Sequence, residues 1–143
     1  MTDARKYLSS FKSTEEKIEL KIKQVQALRE RLSCVSAPMD KEQVSHTTNV
    51  SIMADTVAMI VDLQKEIDQQ SSALVASKKE AFALLDQIHS ENASILINRF
   101  FVGMSIEEIC KENHISIRNA YRRQQDALTE FQAVLNRLPQ KLA

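Results

Sequence analysis

The sequence predicts an all-α protein: a long helical hairpin or coiled coil, followed by a cluster of three shorter helices. Three observations predict it. First, the 143 residues contain one Gly and two Pro, whereas turn-rich β folds lean on these residues at many corners. Second, apolar residues recur at every seventh position through two long stretches, the repeat that keeps one stripe against a partner helix. Third, the last third of the chain carries start and stop signals spaced for short helices.

Composition also narrows function. Gly103 is the single glycine, which excludes a Gly-rich nucleotide loop. Charged residues make up 27%, with 19 Lys+Arg against 19 Asp+Glu; this argues against a polybasic tail or a generally cationic coat. The balance is uneven along the chain. Residues 1–33 hold eight basic and five acidic side chains, 34–90 four and eight, and 91–143 seven and six. The middle is therefore acidic. Two cysteines, Cys34 and Cys110, do not make a disulfide framework. No apolar leader follows Met1, and no stretch approaches the roughly 18 apolar residues of a membrane helix. The expectation is a soluble, cytoplasmic chain with reduced thiols and no membrane partner.

The first element is a long helix over 3–33. Ala4, Phe11, Ile18, Val25 and Leu32 stand seven apart and form a coiled-coil seam. Ser13 and Glu16 have capping-box spacing, which offers an alternative helix start inside this stretch. Residues 34–50 contain Pro38 and a cluster of Asp, Ser, Thr and Asn, which stops the periodicity. Met39 and Val44 are expected to pin this loop onto the helices. A second helix is expected over 51–89, with Ile60, Ile67, Leu74, Ala81 and Ile88 seven apart. Gln64, Ser71 and Lys78 weaken its seam, and the run from Asp68 to Lys79 holds poor helix formers. At about 1.5 Å per residue the two helices are roughly 45 and 55 Å long. They cannot be stable alone, so they pack as an antiparallel hairpin, against another subunit, or both. This places one domain at 1–90 and a second at 91–143.

The second domain parses into three helices. The first runs from about Glu91 to Val102 and stops at Gly103, suited to a left-handed residue past a helix end. The second is capped by Ser105, with Glu107 and Glu108 favoured by the helix dipole in its first turn. A turn falls at Asn113–His114, residue types that tolerate positive φ. The third is capped by Ser116 and carries Ala120, Ala127, Leu128, Phe131 and Leu135 towards Pro139. Ile109 and Ala120 are expected where the second and third helices cross, with small Ala120 and Ala127 allowing close approach.

A short helix, a tight turn, and a helix with polar, basic first turns make a helix-turn-helix. Such a helix offers donors to base edges and phosphates. Arg118, Asn119, Arg122 and Arg123 do so here, with Tyr121 and Gln125 beside them. Arg bridges guanine O6 and N7, and Asn bridges adenine N6 and N7.

Those residues carry a resemblance. Arg99 to Leu128 resembles region four of the bacterial sigma factors, which reads the −35 promoter element. The matching parts are Gly103, Ser105, Glu108-Ile109-Cys110, the turn at Asn113–Ile115, Ser116 and Ala127-Leu128. The whole chain is similar to a narrower family, the small phage and prophage regulators of Gram-positive bacteria. That likeness adds Ala4-Arg5-Lys6-Tyr7-Leu8, Asp40-Lys41-Glu42-Gln43-Val44-Ser45, and Ile60-Val61-Asp62-Leu63-Gln64-Lys65-Glu66-Ile67. It implies a phage-type transcriptional regulator, of which a late-gene activator is one kind. The family's recognition positions fall on Ile117, Arg118, Asn119 and Arg122. The chain departs from the family at Asn113-His114, where Leu-Gly is usual. It departs again at Ala120, usually β-branched, and at Arg123, usually apolar.

The expectation is thus a non-enzymatic, sequence-specific regulator that binds double-stranded DNA through Ser116, Ile117, Arg118, Asn119, Tyr121, Arg122, Arg123 and Gln125. A homodimer suits two half-sites one helical turn apart, and RNA polymerase is a further candidate partner. Two alternatives stay open: a coiled-coil interaction protein that does not bind DNA, and a small phage packaging protein like a terminase small subunit. No metal or other cofactor is expected. Cys110 and His114 are four apart, a spacing a metal could bridge, but no further Cys or His stands near them in sequence. His89-Ser90-Glu91 reads as a helix boundary.

Overall fold

The computed structural model of the chain describes residues 3–36 and 46–139. The fold class is all-α, with five α-helices and no strand among the described residues. Helix α1 spans Ala4–Ser36 and α2 spans His46–Leu85. They are followed by α3 (Ser90–Leu96), a π-helical stretch (Ile97–Val102), α4 (Ile106–Asn113) and α5 (Ile117–Asn136). No helix among the described residues is long and apolar enough to cross a membrane.

Both long helices extend into the stretch expected as a loop. Helix α1 does not restart at Ser13: Thr14 Oγ1 donates to the Ser10 carbonyl at 2.9 Å, the bond of a side chain inside a continuous helix. Helix α2 begins at His46 rather than 51 and ends at Leu85 rather than 89. Its end tightens, as the Gln87 and Ile88 N–H groups reach the Leu84 and Leu85 carbonyls at 3.1 and 3.3 Å. Part of the loop expected over 34–50 is therefore helical. Met39 and Val44, expected to pin it, lie outside the described residues.

The chain folds as two compact units, and neither boundary falls at residue 90. One unit joins the residues up to Thr14 with those from Val75 onward; the other is Glu15–Leu74. The physical reason is the core of the first unit. Ala4 and Leu8 of α1, and Leu84 and Leu85 of α2, are buried with Leu96, Ile109, Ala127 and Phe131. Aromatic rings continue this core: Tyr7 lies 5.9 Å from Phe131, and Phe101 lies 5.2 Å from Phe11 and 4.8 Å from Phe82. The Ala4 N–H donates to Gln132 Oε1 at 2.7 Å, fixing the start of α1 on α5. Burial also raises the Tyr7 hydroxyl above its ordinary pKa, helped by the Glu80 carboxylate. The short C-terminal helices thus draw their core from the start of α1 and the end of α2, a long-range demand that no local pattern carries.

In the second unit the heptad faces of α1 and α2 meet within one chain. Ile18 and Val25 pack with Ile67, flanked by half-buried Ile60, Leu63 and Leu74. Lys21 pairs with Glu66 at 3.3 Å, an exposed contact worth at most about 1 kcal/mol. Gln64, in the weak middle of the seam, donates to Asp68 on its own helix at 3.2 Å.

Candidate nucleic-acid interface

The candidate site is built on α5, and α3 and α4 hold α5 in place. Helix α3 starts where His89 Nδ1 accepts the Glu91 N–H at 3.3 Å. The His89-Ser90-Glu91 triplet is therefore a helix boundary. Glu130 of α5 accepts both the His89 backbone N–H and the Asn92 side-chain amide. These two donors hold its carboxyl below the ordinary carboxylate range. Ile95 and Leu96 bury the other face of α3.

The helix expected to run regularly to Val102 instead continues from Ile97 as a π-helical stretch. Gly103 ends it at φ 86°, and the Gly103 and Met104 N–H groups both donate to the Asn98 carbonyl. A Cβ at Gly103 would meet nothing within 4 Å, so the position needs glycine's backbone freedom rather than its small size. Arg99 Nη1 donates to the Met104 carbonyl at 3.2 Å, which secures the approach to α4.

Helices α4 and α5 are capped as their sequences direct. Ser105 Oγ accepts the Glu108 N–H at 3.1 Å, and Ser116 Oγ accepts the Asn119 N–H at 3.2 Å. Between them His114 adopts φ 54°. Its N–H reaches the Cys110 carbonyl, as does the Ile115 N–H at 3.1 Å. Asn113 Nδ2 closes the last turn of α4 onto the Ile109 carbonyl at 3.0 Å.

Ile109 and Ala120 are both fully buried where α4 and α5 cross, in different clusters. Ala120 packs with Ile106, Cys110 and half-buried Ile115. Ile109 faces the main core, with Ala127, Leu128 and Phe131. Ile106 and Cys110 lie four apart on α4 and so share a face, while Ile109 stands on the adjoining one. Ala120 and Ala127 are fully buried, which explains their small side chains. Cys110 is buried and His114 is an exposed cap. Among the described residues, no group of three or more His, Cys, Asp or Glu side chains is placed to hold a metal ion.

All eight residues singled out from the sequence are exposed: Ser116, Ile117, Arg118, Asn119, Tyr121, Arg122, Arg123 and Gln125. They do not all share one face. Arg118, Tyr121, Arg122 and Gln125 follow the i, i+3, i+4, i+7 spacing of a single helical stripe. It lies opposite the side that buries Ala120, Ala127, Phe131 and Val134. Arg123 stands about 100° further round the helix than Arg122, on a flank; both line an open polar groove against α3 with Asn113 and Asp126. Among the described residues no carboxylate pairs with Arg118, Arg122 or Arg123. Sequence reasoning missed Gln124, which is buried on the core side of α5 with no partner for its Oε1 among the described residues, and Glu130, whose role depends on α3.

No family model matches the chain, and neither a curated protein nor a solved structure is significantly similar to it.

Proposed function

We propose that the chain is a non-enzymatic, sequence-specific DNA-binding transcriptional regulator of phage or prophage type. In this reading α4, the turn at His114–Ser116 and α5 act as a helix-turn-helix. Helix α5 docks in the major groove from Ser116, and a homodimer presents two such heads to two half-sites. RNA polymerase is the further partner that the resemblance to sigma region four implies.

The observation that carries the reading is the stripe of Arg118, Tyr121, Arg122 and Gln125. These four side chains are exposed, on the first turns of a capped helix, over a rigidly packed opposite face. Arg118 and Arg122 supply the bidentate donors that guanine edges accept, and Asn119 stands beside them. Ser116 spends its hydroxyl on the cap, so its part is to position α5 rather than to read bases. Arg123, on the flank, is assigned to a phosphate.

Salt dependence tests this reading. DNA binding through phosphates makes log affinity fall linearly with log salt, by roughly 0.9 per phosphate neutralised. A slope of about 1 per head is expected from the one phosphate assigned to Arg123, and about 2 for a dimer. Absence of retention on duplex DNA at about 50 mM salt would leave the exposed stripe as a protein-docking face instead.

A further inference from the structure

The Glu15–Leu74 unit has too little core for the helix it contains. Among its described residues only Ile18, Val25 and Ile67 are buried apolar side chains. Two paired helices with so small a core are not a stable fold, and bundles complete such cores with further helices. Leu20 and Ile22 of α1 are exposed, but most of the unused apolar surface of this unit is on the first half of α2. Val50, Ile52, Val57, Met59 and Val61 are each 45–52% exposed. Positions 47–61 carry a single charged residue, Asp55, in a chain that is 27% charged. A solvated helix face has no reason to be so poor in charge.

Part of this surface has the spacing of a second seam. Val50, Ala54, Val57 and Val61 stand four, three and four apart, the a/d pattern of a coiled coil. The stripe lies roughly 110° around α2 from Ile60 and Ile67, which face α1. Its spacing reads the same in both directions. Val50 is to Ala54 as Val61 is to Val57. An antiparallel copy therefore sets Val50 against Val61 and Ala54 against Val57, twice each. Such self-complementarity is what a two-fold interface demands of one surface patch. The positions flanking the seam on either side, Ser51 and Ala58, Met53 and Ile60, are uncharged, so pairing brings no like charges together.

We infer that this stripe is where a second copy of the chain docks, α2 against α2 in antiparallel register, to close a four-helix bundle. The stripe itself offers on the order of 300 Å² per copy. Each α1 then flanks the partner's α2, which brings the total towards the roughly 1,000 Å² that a specific interface requires. This deepens the proposed function, since it names the surface of the dimer invoked there. It does not depend on what α5 binds.

Sedimentation equilibrium of the full-length protein without DNA tests it. The expected result is a dimer whose dissociation constant weakens at least about 100-fold in Val57→Glu with Val61→Glu. Ile52→Glu with Met59→Glu, equally exposed but off the stripe, should leave the dimer intact. A second measurement guards against simple misfolding. In a Cys34→Ser background, Val50→Cys with Val61→Cys should oxidise to a covalent dimer. Within one helix these positions are about 16 Å apart, too far for a disulfide. Val50→Cys alone should not cross-link, because the two copies of that position are equally distant in antiparallel register. A monomer at all concentrations up to about 100 μM, a dimer indifferent to the stripe glutamates, or cross-linking of Val50→Cys alone would each overturn the inference. These readings use no DNA, so a failure of DNA binding leaves them unchanged.

Discussion

The carboxylate of Glu130, in the second half of α5, accepts a hydrogen bond from the side-chain amide of Asn92 on α3 at 2.7 Å. Its other oxygen takes the backbone N–H of His89. One acidic side chain thereby ties the helix proposed to read DNA to the helix that braces it. The carboxyl is held below its ordinary range by these two donors. A carboxyl depressed in the folded state stabilises the fold above its unfolded pKa, and that stabilisation is lost as pH falls through the folded value. Glu130→Gln should therefore lower the melting temperature at neutral pH. The gap to the parent should narrow as pH falls from about 5 to about 3. A gap independent of pH would mean that the carboxylate charge plays no part.

Two substitutions at the left-handed positions should act in opposite directions. Gly103→Ala adds a Cβ with nothing to strike, so its cost is backbone strain alone, about 1–2 kcal/mol. His114→Gly relieves the same kind of strain at φ 54° and should stabilise the fold by up to about 1 kcal/mol. Chemical denaturation of the two variants measures both.

The residues from 91 onward should not fold when separated from the rest. Leu8, Leu84 and Leu85 are buried in the core that these helices share, and a fragment lacking them exposes Phe131 and Leu96. Circular dichroism should show no cooperative melting for residues 91–143 alone. In the full chain, Leu8→Ala should cost about 2–5 kcal/mol. A cooperatively melting fragment would restore the domain boundary expected at residue 90.

How much of this was legible in the sequence follows from the range of the interactions. Ser105, Ser116, Gly103 and the Asn113–His114 turn act within a few residues, and their roles are written locally. The heptads at Ile18, Val25, Ile60 and Ile67 also declared their faces. What stayed hidden was long-range or had no compositional mark. Nothing near Leu8 says that it packs with Leu96, and nothing in Ile97–Val102 distinguishes a π-helical stretch from a regular one. Ile109 and Ile106 are chemically equal, so only the crossing geometry decided which one meets Ala120. In the candidate site, polarity predicted exposure except at Ile117, which is apolar and exposed, and at Gln124, which is polar and buried. The separation of Arg123 from Arg118 and Arg122 required counting helical phase.

That separation makes a graded prediction for DNA binding. Arg122→Ala should cost about 1–3 kcal/mol at a specific site and relax discrimination at one base pair. Arg123→Ala should weaken binding to all sequences alike and lower the salt slope by about 1. Neither exposed change should move folding stability by more than about 0.5 kcal/mol. Band-shift titrations on matched and mismatched duplexes separate the two effects.

The most direct test of the central claim is selection of bound sequences from random duplex DNA by the full-length protein. The expected result is enrichment of one motif, with two related half-sites about 10 base pairs apart centre to centre. Enrichment should vanish in the folded Arg118→Ala, Arg122→Ala double variant. A pool that stays random, or a motif that the double variant enriches equally well, would contradict the reading of α5 as a recognition helix.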